Sequence, residues 1–166
     1  MPNKTLVLDQ KSISQKIRRI AYQIYEFNYS EEEIIFVAIE KQGVILAERI
    51  KPILEEISNI KVTLLKLKVN KKEPMQKPVL SDSGEVLIGK SVVLIDDVLN
   101  SGRTLIYGAR HILEYAVKNL TTVVLVDRLH RKFPIKADFV GLTLSTTMQD
   151  HIAVTFNQGK DAVYLE

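Results

Sequence analysis

Three short runs of apolar residues constrain the fold of this 166-residue chain most strongly. They span residues 34–39, 92–95 and 123–126, and polar residues do not interrupt them. An unbroken apolar run of this length is typical of a strand that is covered on both faces of a parallel sheet. Residues 62–67 predict a further strand. Segments with helical periodicity separate these strands, so the sequence predicts an α/β fold with a parallel-type sheet flanked by helices.

The helical segments are recognised by apolar residues that recur three to four positions apart. They cover roughly residues 10–28, the stretch from Gly43 to Ile57, and the stretch from Leu105 to Val117. Pro52 lies inside the second pattern and is expected to kink or restart that helix. Further short strands are predicted near residues 139–142, 152–156 and 162–165.

The composition narrows the classes of protein that fit. Hydrophobic residues make up 46% and charged residues 26%, which predicts one ordinary globular domain over residues 1–166. The chain has no cysteine, which excludes a disulfide scaffold, a cysteine nucleophile and a thiolate metal site. No apolar run approaches the roughly 18–20 residues of a membrane span, and the first residues lack a secretory apolar core. We therefore expect a cytoplasmic protein without membrane contact.

Residues 92–104 form the motif that is richest in chemistry. An apolar strand leads into Asp96 and Asp97, and ligands of open α/β sheets bind beyond the carboxyl ends of the strands. Adjacent carboxylates at such a place can accept hydrogen bonds from the vicinal hydroxyls of a ribose.

A turn follows the two aspartates and leads into a helix. Gly102 permits unusual backbone dihedrals, and the backbone N–H groups of such a turn, with the helix N-terminus, form an anion site. Hydroxyl binding on one side and anion binding on the other together predict a site for a phosphorylated pentose. The candidate residues of the turn are Asn100, Ser101, Gly102, Arg103 and Thr104.

The whole string from Val92 to Thr104 resembles the phosphoribosyl pyrophosphate (PRPP) signature of type I phosphoribosyltransferases. Residues 17–24, 43–50 and 127–141 resemble one group of that family, which contains the pyrimidine-operon attenuator with uracil phosphoribosyltransferase activity. The similarity covers most of the chain in order.

The resemblance implies a reaction and a fold. A nucleobase, with uracil as the first candidate, would displace pyrophosphate from PRPP. Mg²⁺ would be carried by PRPP rather than by a cluster of protein ligands. The type I fold adds a small C-terminal hood, expected mainly over residues 128–166, and a mobile loop, expected at about 70–89. Asp96 and Asp97 would be the catalytic residues that hold the ribose hydroxyls, and the turn at 100–104 would hold the 5′-phosphate.

The resemblance also assigns residues to the pyrophosphate and to the base. Arg128 and His130 would lie on the base side, in the hood. The pyrophosphate loop would comprise Glu40, Lys41, Gln42 and Gly43.

The chain departs from its relatives at two places that handle pyrophosphate or closure. Relatives carry a basic residue, Thr, Arg and Gly where this chain has residues 40–43, and Tyr-Arg-Asp-Asp where it has residues 67–70. Asn100 stands where purine phosphoribosyltransferases usually carry the Asp that acts as general acid or base, which disfavours a purine substrate. Two alternatives therefore stay open, namely a different acceptor base and a regulator with weak or no catalysis.

The regulatory alternative is an RNA-binding protein that senses nucleotides or PRPP and controls pyrimidine genes. Its RNA face for an mRNA leader would comprise Arg18, Arg19, Arg131 and Lys136, although a formal net charge of +3 fits an ordinary hydrophilic surface equally well. Lysines at 66–77 fit either a solvated loop or attraction of a polyanionic substrate. We also expect a homo-oligomer, a dimer or higher.

Overall fold

A six-stranded sheet forms the centre of the computed structural model, which describes residues 3–166. The strands run in the order β4-β3-β2-β5-β6-β7, and all but β4 are parallel to their neighbours. The predicted α/β fold with a parallel-type sheet is therefore confirmed. The elements in chain order are β1 (Thr5–Leu8), α1 (Gln10–Phe27), β2 (Glu33–Ile39), α2 (Gln42–Ile57), β3 (Lys61–Lys68), β4 (Val79–Leu80), a 3-10 helix (Gly84–Leu87), β5 (Ser91–Leu99), α3 (Arg103–Ile112), β6 (Asn119–Asp127), β7 (Phe139–Thr143), β8 (Ile152–Thr155) and β9 (Ala162–Leu165).

Helices cover both faces of the central sheet, because the apolar strands expose side chains alternately to the two sides. Phe36 of β2 packs in the core with α1 and α2, whereas its neighbours Ile35 and Val37 pack in the core with α3. The connections that follow β2 and β5 therefore leave the sheet toward opposite faces. This switch point between adjacent strands opens a crevice at their carboxyl ends, where α/β proteins bind ligands.

Helix α2 runs through Pro52 without a break, so the expected restart at this residue is wrong. Pro52 is exposed. The carbonyl of Glu48, which loses its helical partner to the proline, lies on the same exposed face of the helix and can bond to water instead. Burial of Leu46, Ile50 and Leu54 on the opposite side holds the helix to the sheet.

A second, three-stranded antiparallel sheet has the order β1-β9-β8, and we call it the hood. The predicted strands near the C-terminus are present, but β7 pairs with β6 in the central sheet, so only β8 and β9 of the expected hood range 128–166 belong to the hood. The hood additionally takes β1 from the start of the chain, which the expected range of 128–166 does not include. Among residues 3–166, no helix is long and apolar enough to cross a lipid bilayer.

The expected mobile loop at 70–89 is divided by the structure into two parts. Its second part contains β4, which pairs with β3, and the 3-10 helix with its buried Leu87. Gly84 lies directly under the Tyr115 ring, where a Cβ atom would overlap the ring. Residues 70–78 contain no helix or strand, and we call them the lid segment.

Candidate active site

Two neighbouring cavities open at the carboxyl ends of β2 and β5. The larger has a volume of about 430 Å³ and the smaller about 380 Å³, and Asp97 and Lys71 line both. The larger cavity is otherwise lined by Asp96, residues 98–105 and residues 151–154. The smaller is otherwise lined by Glu40, Lys41, Gln42, Lys68 and Val69. The structure thus brings the predicted ribose, phosphate and pyrophosphate residues together at one place.

Asp96 and Asp97 lie within β5 rather than after its end, because this strand continues to Leu99. The sequence-based end of this strand at Ile95 is therefore wrong. Pairing with β2 ends at Ala38 and Ile95, however, so the two aspartates lie beyond the last residue of β5 that pairs with β2. Continued pairing with β6 holds the backbone of β5 extended while both carboxylates reach the crevice.

The environment of Asp96 favours its protonated form. The side chain is buried, with only 5% of its surface exposed. Burial raises the pKa of Asp96 well above its ordinary value, and the neighbouring Asp97 carboxylate raises it further. Lys71 acts in the opposite direction, as does the backbone N–H of Asp97, which donates to Asp96 Oδ1 at 2.9 Å. A ligand that donates hydroxyl hydrogen bonds or brings a cation would favour the ionised carboxylate.

The turn at residues 100–104 begins α3 with a left-handed glycine. Gly102 is the N-cap of the helix at φ 88°, and no side chain caps it by a hydrogen bond. A Cβ atom at this position would lie 2.7 Å from Ile135 Cγ2, so both the dihedral and the space require glycine. The Arg103 N–H donates to Ser101 Oγ at 3.2 Å, and the N–H groups that follow it in the first turn of α3 are left for an anion, as a phosphate-binding helix N-terminus requires.

Residues 132–135 support this turn from behind, which the sequence did not reveal. The backbone N–H groups of Lys132 and Phe133 donate to the carbonyl of Ser101 at 2.8 and 3.1 Å. The Arg103 guanidinium lies 5.5 Å from the centre of the Phe133 ring. These contacts fix the turn in the absence of a ligand, so its N–H groups are preorganised.

The predicted pyrophosphate loop lies against the strand that carries the aspartates. Gly43 packs so closely on β5 that a Cβ atom would lie 2.8 Å from the carbonyl oxygen of Ile95. The Glu40 N–H donates to the Leu67 carbonyl at 3.0 Å, and the peptide bond between Glu40 and Lys41 is cis. Side chains of 40–42 therefore line the smaller cavity, while Gly43 is buried behind it.

Arg128 and His130 do not line either cavity. Arg128 Nε donates to Thr146 Oγ1 at 2.9 Å, and its Nη1 donates to Asn100 Oδ1 at 3.3 Å. His130 Nε2 lies 2.6 Å from the Thr146 carbonyl. Both side chains thus hold the segment before β8, and a direct contact with a base stays a prediction for them.

The hood wall of the larger cavity is instead made by residues 151–154, and Lys71 of the lid segment separates the two cavities. Neither His151 nor Lys71 belongs to a motif in the sequence. The lysine-rich stretch was the only signal that pointed toward Lys71, and nothing in the sequence distinguished it from its neighbours.

The carboxylates of the site fit a Mg²⁺ ion that a phosphorylated ligand brings with it. Asp97 lines both cavities and Glu40 lines the smaller one, so each can offer an oxygen ligand. Within residues 3–166, no group of three or more His, Asp or Glu side chains is arranged to hold a metal ion by itself. Mg²⁺ needs no such group when phosphate oxygens and water complete its octahedral coordination.

The four basic residues of the predicted RNA face have different surroundings. Arg19 Nη2 donates to the carbonyls of Gly141 and Val140 at 2.7 and 3.1 Å, and Arg131 Nη2 lies 3.3 Å from Asp127 Oδ2. The Arg18 guanidinium lies 5.7 Å from the Tyr22 ring centre, and the Lys136 side chain is exposed.

Comparisons with known proteins agree with this geometry. A family profile described as "Phosphoribosyl transferase domain" matches residues 5–157. "Bifunctional protein PyrR" of Clostridium novyi is 33% identical over 98% of this chain and 97% of its own length. The protein of the same name from Leuconostoc mesenteroides is 35% identical over 98% of both chains.

Solved structures of similar fold include phosphoribosyltransferases whose names give hypoxanthine or guanine as the base. The hypoxanthine phosphoribosyltransferase of Trypanosoma cruzi has a TM-score of 0.75 and 17% identity, and covers 89% of this chain and 84% of its own. A hypoxanthine-guanine phosphoribosyltransferase of Bacillus anthracis has a TM-score of 0.69 and 24% identity, covering 86% and 84%. At this identity, the likeness concerns the fold alone.

Proposed function

This chain belongs to the phosphoribosyltransferase family, and we propose that it transfers ribose 5-phosphate from PRPP to a nucleobase, with uracil as the first candidate, releasing pyrophosphate. The observation that carries the proposal is the larger cavity, in which Asp96, Asp97 and the turn at 100–104 lie together. The cytoplasmic location expected from the sequence is part of the same proposal.

The two cavities accommodate the two ends of PRPP. The 5′-phosphate would bind the N-terminus of α3 at residues 100–104, and the ribose hydroxyls would donate to Asp96 and Asp97. The pyrophosphate would occupy the smaller cavity, where Lys41, Lys68 and Lys71 supply positive charge. Because both cavities share Asp97, the anomeric carbon would lie between them, with the hood wall at 151–154 on the base side.

Catalysis in this arrangement depends on charge and position rather than on a covalent nucleophile. Cleavage of the anomeric C–O bond builds positive charge on the ribose and negative charge on the pyrophosphate. The Asp96 and Asp97 carboxylates lie where they can stabilise the positive charge on the ribose. The lysines of the smaller cavity can stabilise the negative charge on the pyrophosphate. Mg²⁺ would enter with PRPP, held by phosphate oxygens and at most one or two carboxylates, and would neutralise the leaving group.

A panel of bases tests the transfer reaction directly. The protein is incubated with PRPP, Mg²⁺ and uracil, cytosine, hypoxanthine, guanine or adenine in turn, and pyrophosphate and nucleotide are both measured. With uracil we expect one pyrophosphate to be released for each nucleotide formed. With purines we expect little release of pyrophosphate, because Asn100 cannot act as a general acid or base. A preference for a purine would contradict the assignment of the base, and no release with any base would contradict the transfer reaction.

The double substitution Asp96→Asn and Asp97→Asn tests the ribose site. We expect it to abolish PRPP binding in calorimetric titration with Mg²⁺, because the amides are neutral and replace one acceptor oxygen on each side chain by a donor. Circular dichroism establishes that the variant is folded. An unchanged affinity in the folded variant would refute the placement of the ribose.

A second candidate function is RNA binding, and one contact favours it. Arg19 of α1 bonds to the carbonyls of Val140 and Gly141, so the basic part of α1 adjoins the strand that follows Lys136. The two basic segments therefore meet at the outer edge of β7. The name of the relatives, which calls them bifunctional, supports a second activity in the group.

The RNA test has to spare the arginines that hold the fold. Arg19 and Arg131 have partners within the chain, so Arg18→Ser and Lys136→Ser are the informative changes. We expect affinity for a pyrimidine-operon leader RNA to fall steeply with salt in the native protein and to weaken in the double variant, with unchanged PRPP affinity. Absence of salt-sensitive, sequence-preferring binding by the native protein would remove this candidate and leave the transferase intact.

The expected homo-oligomer is also a proposal. Tyr22, Phe27 and Tyr29 are 47, 52 and 74% exposed near the C-terminal end of α1, where a second copy would cover them. Sedimentation velocity on the native protein measures the state, and a monomer at micromolar concentration would contradict the expectation.

A further inference from the structure

One side chain joins the two walls of the active site. Gln42 Nε2 donates to the carbonyl oxygen of Val154 at 3.2 Å, across 112 positions of sequence. Gln42 is the first residue of α2 and lines the smaller cavity, whereas Val154 belongs to β8 and lines the larger. The bond therefore connects the wall proposed for pyrophosphate with the wall proposed for the base.

The place of Val154 in the hood explains why such a bond matters. Strand β8 pairs only with β9, so its other side is an open edge of the hood. The Val154 carbonyl is bonded to Gln42, and without this donor a part-buried carbonyl would lose its partner. The amide of Gln42 is thus the contact between α2 and the open edge of β8, in addition to the apolar packing of β8 on the core.

The other half of the same amide is not satisfied. Gln42 Oε1 is shielded from water and has no hydrogen-bond partner in the part of the chain that the structure describes. Rotating the amide by half a turn would place its oxygen against the Val154 carbonyl, which is worse. A methionine of similar length would remove the unsatisfied oxygen but would leave the Val154 carbonyl without its donor, so stability alone does not decide between the two side chains.

We propose that Gln42 is a positioning residue that holds the base-facing strand β8 at a defined distance from the pyrophosphate loop. This inference rests on the proposed transferase function, because the two walls then hold the two reactants. A base against residues 152–154 and a pyrophosphate at residues 40–42 have to be held with their reacting atoms in line. A hood that is free to shift relative to α2 would bind the base in more than one position.

The hood offers a matched control in a second glutamine. Gln10 Oε1 accepts a hydrogen bond from the Asp161 backbone N–H at 2.6 Å, so it also joins a helix to the hood. Gln10 lines neither cavity. Gln10→Met therefore also removes a hydrogen bond between a glutamine side chain and the backbone, with Gln10 as the acceptor, away from the reactants.

The experiment compares Gln42→Met with Gln10→Met in steady-state kinetics with the base identified by the panel. For Gln42→Met we expect the KM for the base to rise about tenfold, the KM for PRPP to stay within about twofold, and kcat to fall. Gln42→Glu keeps the length of the side chain but places a carboxylate against the Val154 carbonyl, so its KM for the base should rise further. Gln10→Met should leave both KM values unchanged, even where it lowers Tm.

Two results would overturn the proposal. An unchanged KM for the base in folded Gln42→Met would show that the tether does not position β8 for binding. An equal rise in the KM for PRPP would make Gln42 a pyrophosphate ligand instead.

Hydrogen exchange separates this proposal from the transferase function. In the free protein, the amides of residues 152–155 should exchange faster in Gln42→Met than in Gln10→Met. Equal exchange in the two variants would overturn the coupling whether or not the native protein transfers ribose 5-phosphate. A native protein that is inactive with every base would refute the transferase function alone.

Discussion

Asp96 is a carboxylic acid that the fold places where water reaches it poorly. Its raised pKa, caused by burial and by Asp97, means that the folded protein holds a proton which the unfolded chain releases at its ordinary pKa of 3.8. Above that pH, the unfolded chain binds fewer protons than the folded protein. Stability therefore falls as pH rises, by up to about 1.4 kcal/mol per unit, until the pH passes the folded-state pKa.

Asp96→Asn should remove this pH dependence. The amide oxygen can still accept the Asp97 N–H, and no charge has to be buried. We expect the variant to be more stable than the native protein at neutral pH, with a difference that shrinks below pH 4, as measured by urea unfolding across pH. Asp82→Asn makes the same substitution at an exposed carboxylate and is the control for the change of side chain itself. A difference independent of pH would argue against a raised pKa.

Gly43 lets the loop at residues 40–43 pack against β5, because it has no side chain. Gly43→Ala would put a Cβ atom 2.8 Å from the Ile95 carbonyl oxygen and 3.1 Å from Asp96 Cα, which are backbone atoms of β5. We expect a loss of about 1–3 kcal/mol in the free energy of unfolding, together with weaker PRPP binding as the loop moves away. Gly108→Ala in α3 meets only side-chain atoms at 3.4 Å or more, so it should be neutral or stabilising. Equal effects of the two changes would contradict this explanation.

At the level of elements, the long connection between β3 and β5 combines an anchored part with a free one. The 3-10 helix is anchored by buried Leu87 and by Gly84 under Tyr115. The lid segment makes weaker contacts, with Met75 Sδ 3.6 Å from Tyr107 Oη and Lys77 Nζ 3.8 Å from Glu114 Oε2. Both contacts are solvent-exposed, so they hold the segment only loosely.

Hydrogen exchange distinguishes these two parts. We expect residues 70–78 to exchange rapidly in the free protein and residues 84–88 slowly, because only the latter bury apolar side chains. PRPP with Mg²⁺ should slow exchange in 70–78 if Lys71 closes on the ligand, as its place between the cavities suggests. Strong protection of 70–78 without ligand would contradict a lid at this position.

At the level of the whole molecule, polar contacts join the hood to the helices beside the central sheet. Asp161, which is 2% exposed, accepts two hydrogen bonds from the Arg49 guanidinium, one of them at 3.0 Å. Arg49 also lies 5.0 Å from the centre of the Phe156 ring. One buried carboxylate thus fixes the start of β9 to α2.

Asp161→Ala should loosen this junction. Removing one partner of a buried ion pair typically costs about 3–5 kcal/mol, and we expect about 2 kcal/mol because Arg49 is 30% exposed and can turn to water. Lys51→Ala breaks a surface pair with Glu55 and should cost less than about 0.5 kcal/mol. Urea unfolding measures both, and a similar loss in the two variants would show that burial of Asp161 contributes nothing.

The sequence by itself determined those features that depend only on residues close together in the chain. Unbroken apolar runs identified β2, β5 and β6, because strands buried on both faces leave no polar position. The string of two aspartates and a Ser-Gly turn predicted a ribose and phosphate site, because a strand, a turn and a helix N-terminus are adjacent in the chain. The same locality explains the error at the end of β5, where polar side chains do not show that backbone pairing with β6 continues to Leu99.

Only the tertiary structure decided which distant residues complete the site. The hood takes β1 from one end of the chain and β8 and β9 from the other, and residues 151–154 form a cavity wall without any motif. Lys71 among many lysines, and Gln42 bonded to Val154, acquire their positions from packing between elements far apart in sequence. Such contacts leave no local periodicity, because one carbonyl at a strand edge accepts any donor that the fold brings within reach.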